Sequence, residues 1–237
     1  MAETDRIATI DPTRHLLQFD PHVFDDTRVD VVGCGAVGGK VGDLIARYGV
    51  RNLHLHDGDR VSGENIANQS PFTQADIGRM KVEALADHLV AAGCARPTLH
   101  PRFIEGPTPL GRVVFLAVDK MRVRKAIFAH SLHLKLSTDY VIEVRMGIDE
   151  LRVYGFNPRD RGDVEQWRAS LYDDDEAVEG VCQMPTTVGD TASITAGVAV
   201  ARFRHWFRRE VARDTAYAKP LPVEQIFMLR PLLAMAQ

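Results

Sequence analysis

A short apolar strand that runs directly into a glycine-rich turn constrains this chain more than any other feature. Residues 28–32 read RVDVV, and the following segment GCGAVGGK carries Gly33, Gly35 and Gly38 in the spacing G-x-G-x-x-G. In such a turn the first glycine allows a sharp bend, the second lets a phosphate approach bare backbone, and the third lets a helix pack closely on the strand. Amides at the helix N-terminus then favour an anion. The segment predicts a strand, an anion-binding turn and a helix ending near Tyr48.

A second strand and an acidic residue complete a nucleotide-binding pattern. Residues 53–56 are predicted to form the next strand, and Asp57 at its carboxyl end follows Gly33 by 24 residues. An acid in this place accepts hydrogen bonds from ribose hydroxyls. A strand, a helix and a strand in this order form a parallel βαβ unit. These features together indicate a nucleotide-binding protein.

Apolar patterns further along predict an α/β protein with a Rossmann-like, doubly wound fold. Residues 81–92 have helical spacing, residues 113–118 (VVFLAV) are typical of a strand covered on both faces, and residues 123–134 predict a helix. Residues 141–147 and 151–156, separated by IDE, predict an antiparallel hairpin. We expect a mostly parallel mixed sheet that ends in this antiparallel C-terminal hairpin.

Chain length favours one domain. A chain of 237 residues suits a single sizeable α/β core. We therefore expect one domain over residues 1–237, with residues 1–27 as an N-terminal extension. The acidic stretch 162–179 predicts a loop, and a helix from about residue 191 to 209 is the last predicted element.

Charge and cysteine content exclude several classes of protein. The net charge is -3 and both signs are mixed along the chain, which indicates neither a nucleic-acid nor a membrane surface. Residues 1–20 lack the apolar core of an export signal. Cys34, Cys94 and Cys182 are widely spaced, so we expect reduced thiols in a cytoplasmic protein without structural zinc.

The segment around and after Asp57 resembles the adenylating domain of the family that includes the ThiF, MoeB and HesA proteins and the ubiquitin-activating enzymes. In LHLHDGDRVSGENIANQSPFTQADIGRMKVEAL, the family's acid-x-acid pair, Asn, Gln, Asp-x-Gly and Lys match in order, as Asp57, Asp59, Asn65, Gln69, Asp76, Gly78 and Lys81. A later family aspartate matches Asp119 in FLAVDKMRVRKAIF, with Arg124 in the predicted helix that follows. Arg14 in DPTRHLLQ is a weaker match, to an arginine that reaches into the partner subunit's site.

This resemblance implies an ATP-dependent adenylyltransferase that activates the C-terminal carboxylate of a small ubiquitin-like or sulfur-carrier protein ending in Gly-Gly. The acceptor is already an anion at neutral pH, so the obstacle is its repulsion from the triphosphate. Lys81, as a point charge, and Arg14 would counter this repulsion, and Asp119 would hold Mg²⁺. The resemblance further implies a homodimer and a downstream conjugating enzyme as partners. Its nucleotide-binding residues would be Gly33, Gly35, Gly38, Asp57, Asp59, Asn65, Gln69, Lys81 and Asp119.

One departure from the family leaves the activity open. Asn68 stands where the family has an arginine before Gln69, and an amide cannot pair bidentately with phosphate. Either Arg60, Arg79 or Arg145 replaces it, or the chain is a catalytically weakened nucleotide-binding scaffold that partners a ubiquitin-like system.

Three further alternatives concern the thiol chemistry, the position of Arg145 and the cofactor. Cys182 lies in a predicted loop before a helix, where a thioester would form after adenylation, although a buried small apolar residue is the alternative. Arg145 either points toward the site, as in short family members, or is an exposed hairpin residue. The glycine spacing also occurs in NAD-dependent oxidoreductases, but the sequence has no convincing acid or base for hydride transfer.

Overall fold

A mixed eight-stranded sheet is the centre of the computed structural model, which describes residues 10–24, 26–174, 189–230 and 232–236. In chain order the strands are β1 (Val29–Val32), β2 (Leu53–His56), β3 (Thr98–His100), β4 (Val113–Leu116), β5 (Tyr140–Met146), β6 (Glu150–Phe156), β7 (Glu224–Leu229) and β8 (Leu232–Ala236). Their spatial order is β3-β2-β1-β4-β5-β6-β7-β8. In this spatial order, the neighbours among β3, β2, β1, β4 and β5 pair in parallel. The neighbours among β5, β6, β7 and β8 pair antiparallel.

Five α-helices connect these strands within the described residues. They are α1 (Gly38–Arg47), α2 (Lys81–Ala91), α3 (Met121–Ile127), α4 (Arg161–Ala169) and α5 (Gly189–Trp206). Helices α3 and α5 each continue into a π-helical turn, over Phe128–Leu132 and Phe207–Val211. Among the described residues, no helix is both long and apolar enough to span a membrane.

Side-chain alternation along the central strands divides the core into two layers. Val113 and Phe115 of β4 pack in one cluster with residues of α1, α2 and α5, whereas Val114 and Leu116 pack in another with residues of α3 and α4. Successive residues of a strand point to opposite faces of the sheet. Helices therefore cover both faces, which confirms the predicted doubly wound α/β fold.

The segment before β1 contributes to this core. Phe19 and Phe24 are buried and pack with Phe203, Trp206 and Phe207 at the end of α5. The ring centroids of Phe19 and Phe207 are 4.5 Å apart. Residues 10–24, within the predicted N-terminal extension, thus pack against the first layer.

The prediction of a loop over residues 162–179 is wrong at its start, where α4 forms. The side chain of Asp160 accepts a hydrogen bond from the amide of Asp163 at 2.9 Å and so caps this helix. Val164 and Trp167, three residues apart on one helix face, are buried. Two apolar residues are too weak a periodic pattern to predict a helix from the sequence. In the structure, burial of the large Trp167 side chain helps to hold this helix on the sheet.

Other differences concern the boundaries and the number of strands. The predicted helix over residues 123–134 begins earlier, at Met121, and its last turn is π-helical. Strands β3, β7 and β8 were not predicted from the sequence. β3 has three residues, and β7 reads EQIFML, a mixed pattern with no clear alternation. The predicted antiparallel hairpin, β5 with β6, is confirmed, and β7 and β8 extend it.

Candidate functional site

A cleft of about 840 Å³ opens at the carboxyl ends of the parallel strands. It lies at the end of β1, which has β2 on one side and β4 on the other. This is the point where the strand order reverses, and α/β sheets bind ligands at such switch points. Its polar lining comes from the glycine turn, the end of β2 with Asp59, Gln69, the start of α2, the loops after β3 and β4, and α3. Of the residues predicted to bind nucleotide, Gly33, Gly35, Asp57, Asp59, Gln69, Lys81 and Asp119 line it.

The three glycines of the turn have different structural tasks. Gly33 has a φ of +89°, a left-handed conformation that side chains disfavour. A Cβ on Gly38 would lie 1.8 Å from the carbonyl oxygen of Gly33, so α1 begins in direct backbone contact with the turn. A Cβ on Gly35 would meet only Gln69 Oε1, 4.0 Å away. Gly33 and Gly38 are thus required by the fold, while Gly35 leaves space in the cleft.

Asp57 is anchored to the glycine turn. Its Oδ2 accepts a hydrogen bond from the Cys34 amide at 2.7 Å, and its Oδ1 accepts one from the Asp59 amide at 2.8 Å. Burial raises the pKa of the Asp57 carboxyl above its usual value, and these two amides and Lys81 act against that rise. The carboxyl is therefore held in one orientation, with its remaining lone pairs available to a ligand hydroxyl.

Lys81, the first residue of α2, is held by Asp59. Its ammonium lies 3.2 Å from Asp59 Oδ2, and its amide donates to the Asp59 carbonyl at 2.9 Å. The Lys81 side chain is 9% exposed, whereas that of Asp59 is 54% exposed. A lysine ammonium has three donors, so one can bind Asp59 while the others reach an anion in the cleft.

Asp119 and Gln69 lie at the cleft with acceptor atoms. Asp119 follows β4 and is exposed, and its Oδ1 accepts from the Lys120 amide at 2.8 Å. Gln69 Oε1 is buried and has no hydrogen-bond partner in the described part of the chain. A buried acceptor of this kind usually has a partner, so Gln69 Oε1 is suited to a donor on a ligand.

Several predicted residues lie elsewhere or outside the described chain. Gly38 packs in the turn, and Asn65 does not line the cleft, because its Oδ1 accepts from the Ser62 amide at 3.0 Å in a short capping motif. Arg14 is exposed and does not line the cleft of its own chain, so its role in a partner subunit stays a prediction. Cys182 lies outside the described residues.

Asp76 and Cys34 have structural roles. Asp76 accepts hydrogen bonds from the amide and hydroxyl of Thr73 and from His88. Burial opposes a low pKa for Asp76, but these bonds outweigh it and lower the pKa to about 2. The Cys34 thiol is buried, which raises its pKa well above its usual value and leaves it a poor nucleophile.

The three arginines predicted to replace the missing family arginine are engaged away from the cleft. Arg60 donates to the Gly78 carbonyl at 2.7 Å, and Arg79 pairs with Asp76 and Asp87. Arg145 is buried and donates to Glu143. The cations that line the cleft are Lys81, Arg102, Lys120, Arg122 and Arg124. Arg102, in the loop after β3, and Arg122, in α3, were not predicted, because each is an ordinary polar residue until the fold brings it to the cleft.

A buried cluster of charges lies at the inner end of the cleft. Glu143 of β5 accepts from Arg145 Nε and Nη2, both at 2.8 Å, from Trp167 Nε1 at 2.7 Å, and from Arg124 Nη1. Burial alone would raise the pKa of Glu143, but Arg145 and Arg124 hold it below its usual value. Of the two alternatives for Arg145, the exposed hairpin residue is wrong: only 3% of Arg145 is exposed, because Glu143 and the ring of Tyr154 enclose the guanidinium. The guanidinium of Arg124, which lines the cleft, is therefore held in place by Glu143.

Among the described residues, no group of three His, Cys, Asp or Glu side chains is arranged to hold a metal ion.

Comparisons with known proteins match the first half of the chain most directly. A sequence model of the ThiF family matches residues 22–96, a segment that contains the glycine turn, Asp57 and Lys81. Two proteins named molybdopterin-synthase adenylyltransferase, from Escherichia coli and Salmonella typhimurium, are each 41% identical to this chain over 64 residues. That match covers 27% of this chain and 26% of each relative. The resemblance inferred from the motifs is confirmed for this segment.

Solved structures extend the likeness to most of the chain at the level of the fold. Escherichia coli MccB, solved with ATP, aligns with a TM-score of 0.65 and 13% identity over 92% of this chain and 65% of that chain. PaaA aligns with a TM-score of 0.64 and 19% identity over the same shares. This chain thus spans just under two thirds of those proteins. At such low identity the match establishes a shared fold, and any function must be argued from the site.

Replacing Gly38 and Gly35 separately will test the different tasks of the two glycines. Gly38→Ala forces a methyl group into the Gly33 carbonyl, and we expect a loss of about 3 kcal/mol or more in the free energy of unfolding. Gly35→Ala adds a methyl group in open space, and its unfolding free energy should stay within about 1 kcal/mol of the parent value. Urea unfolding followed by circular dichroism measures both. Equal losses would contradict the close approach of α1 to the turn.

Neutralising Glu143 should strongly destabilise the protein. Glu143→Gln leaves Arg124 and Arg145 buried without a counter-charge, and we expect a loss of about 3–5 kcal/mol in the free energy of unfolding. Glu165→Gln is the matched control, because Glu165 and its partner Arg161 are exposed, and such pairs contribute about 0–1 kcal/mol. Similar urea midpoints for the two variants would show that Glu143 carries no buried charge.

Proposed function

We propose that this chain binds ATP and transfers its AMP group to the C-terminal carboxylate of a small ubiquitin-like or sulfur-carrier protein, releasing pyrophosphate. The observation that carries the proposal is the convergence of Asp57, Gln69, Lys81 and Asp119 with the glycine turn around one cleft. The adenylyltransferase relatives and the ATP complex of MccB support it. Because the chain spans only part of those proteins, the activity and the substrate remain proposals.

The nucleotide would lie across the switch point of the sheet. Its phosphates would approach Gly35, where no side chain fills the space, and its ribose hydroxyls would donate to Asp57. Asp57 can accept these hydrogen bonds, because the two hydrogen bonds that it already accepts from backbone amides leave lone pairs on both oxygens. Asp59 would act through Lys81, by keeping the ammonium directed at the cleft.

The chemical step needs charge neutralisation more than proton transfer. An oxygen of the carrier carboxylate forms a bond to the α-phosphorus of ATP, and the bond from that phosphorus to the bridging oxygen of pyrophosphate breaks. No proton moves, because the carboxylate is already ionised at neutral pH. Lys81 would stabilise the negative charge that develops on the departing pyrophosphate, and its low exposure strengthens this interaction.

The residues at the cleft fit a magnesium ion carried by the nucleotide. Mg²⁺ commonly binds one or two carboxylates together with substrate phosphates and water, and it neutralises phosphate charge. Asp119 would hold it, since this carboxylate is exposed at the cleft, where its Oδ1 accepts from the Lys120 amide. Asp119 would thereby also orient the triphosphate relative to Lys81.

Later steps and partners are proposed from the family resemblance. A second copy of the chain would bring Arg14 to the site, which accords with its exposure and its position outside its own cleft. Cys182 would accept the activated carrier as a thioester, with AMP as the leaving group. A conjugating enzyme would then receive the carrier.

A non-catalytic scaffold is the second candidate, and Asn68 is the observation that favours it. Arg60, Arg79 and Arg145, which could have compensated for Asn68, pair with other groups and do not line the cleft. Arg102 and Arg122 do line the cleft, so positive charge is available from the loop after β3 and from α3. An active enzyme would use one of these side chains, whereas a scaffold would bind nucleotide without turnover.

The adenylation proposal is tested by ATP–pyrophosphate exchange with Mg²⁺ and candidate small proteins that end in Gly-Gly. We expect exchange that depends on the carrier, and a fall of about 100-fold or more in Lys81→Ala and Asp119→Ala, since each removes a stabilising interaction of the transition state. Lys135→Ala and Asp26→Ala are matched controls at exposed positions and should exchange like the parent.

Two outcomes would contradict the proposal in different ways. If Lys81→Ala and Asp119→Ala exchange as fast as the parent, the site is wrongly assigned. If the parent binds ATP but gives no exchange with any carrier, the scaffold becomes the better account.

A further inference from the structure

Phe103 is an exposed aromatic residue at the rim of the cleft. It lies in the loop after β3, its side chain is 59% exposed, and it lines the cleft beside Arg102 and Ile104. The loop is attached to the end of β2, because the amides of Asp57 and Arg102 both donate to the His100 carbonyl, at 3.2 and 2.8 Å. Phe103 is therefore held close to the carboxyl that we assign to the ribose.

The ring of Phe103 lies directly on the backbone of Gly58. A Cβ on Gly58 would be 2.8 Å from the Cδ2 and Cε2 atoms of Phe103 and 2.9 Å from its Cγ. Such distances are too short for any side chain, so the ring occupies the space above Gly58. Gly58 is not among the glycines with positive φ, so a side chain there would be opposed by the ring of Phe103 and not by the backbone conformation.

We propose that Phe103 is the platform on which the nucleobase stacks, and so a residue that determines nucleotide binding. This inference rests on the proposed function, because it assumes that the cleft binds ATP. With phosphates at the glycine turn and the ribose on Asp57, the base extends past Asp57 on the side away from the phosphates. Gly58 follows Asp57 in the chain, and the ring of Phe103, which lies on Gly58, lines the cleft together with Asp57.

The chemistry of the ring suits a base. Stacking on an aromatic side chain needs one open face and a supported opposite face, and Gly58 supplies the support. No assigned residue of the cleft has an aromatic ring, since the others bind phosphate, ribose or magnesium by charge and hydrogen bonds. Phe103 would thus increase the affinity for ATP, which has a base, and not the affinity for inorganic phosphates, which have none.

The experiment compares binding of ATP with binding of inorganic tripolyphosphate, both with Mg²⁺, by isothermal titration calorimetry. We expect Phe103→Ala to weaken ATP binding on the order of tenfold and to leave tripolyphosphate binding unchanged, because stacking involves only the base. Phe103→Tyr keeps the ring and should bind ATP like the parent. Leu136→Ala, at an apolar residue that is 84% exposed and does not line the cleft, is the control.

Gly58→Ala tests the same contact without removing the ring. Its methyl group must displace Phe103, so ATP binding should weaken as in Phe103→Ala, and the double variant should be no weaker than either single one. In carrier-dependent exchange, the KM for ATP should rise in both variants while kcat stays near the parent value. The reason is that base stacking stabilises bound ATP and the transition state equally.

The outcomes separate failure of this inference from failure of the proposed function. A parent protein that binds neither ATP nor tripolyphosphate would refute nucleotide binding itself. A parent that binds ATP, with Phe103→Ala binding it equally well, would refute only the platform. Equal losses for ATP and tripolyphosphate would also overturn it, by showing that Phe103 supports the phosphate site. Normal ATP binding with a raised KM for the carrier would instead identify a docking surface for the protein substrate.

Discussion

The contact between Gly38 and the Gly33 carbonyl is the constraint on which the rest of the cleft depends. Because a Cβ at Gly38 would lie 1.8 Å from that oxygen, α1 can begin immediately beyond the turn only with glycine there. The turn then directs the Cys34 amide at Asp57, which fixes the end of β2 beside β1. The geometry of the cleft therefore depends on the close approach of the Gly38 backbone to the Gly33 carbonyl, which only glycine at position 38 allows.

A second set of interactions connects the remaining segments to this turn. Asp57 accepts from Asp59, and Asp59 in turn holds Lys81 at the start of α2 through both its backbone and its carboxylate. On the other side, Glu143 holds Arg124 at the inner end of the cleft, with Arg145 and Trp167 completing the cluster. Buried charges are costly unless they are paired, so these partners hold the largely buried side chains of Lys81 and Arg124 in place. The site is thus preorganised before any ligand binds.

Residues that were predicted from the sequence share one property: their task is local. The glycine spacing, the acid after β2 and the lysine at the start of α2 can be recognised because a turn, a strand end and a helix start each carry a signal within a few residues. Asn65 shows the limit of motif order, since it matches the family pattern yet its side-chain oxygen caps a short turn. Phe103, Arg102 and Arg122 could not be identified, because they reach the cleft only when the loop after β3 and the start of α3 are brought beside the glycine turn.

By itself, the amino-acid sequence determined the α/β class, the βαβ unit with its glycine turn, and the candidate acids and lysine of the cleft, because these depend on periodicity and on backbone sterics. Only the tertiary structure decided that Arg145 is buried against Glu143 and not exposed, that α4 forms around Trp167, and that Phe103 covers Gly58. It also added β3, β7 and β8 to the sheet. Each of these outcomes depends on partners distant in the chain, and burial or pairing with such partners leaves no local pattern for a sequence to display.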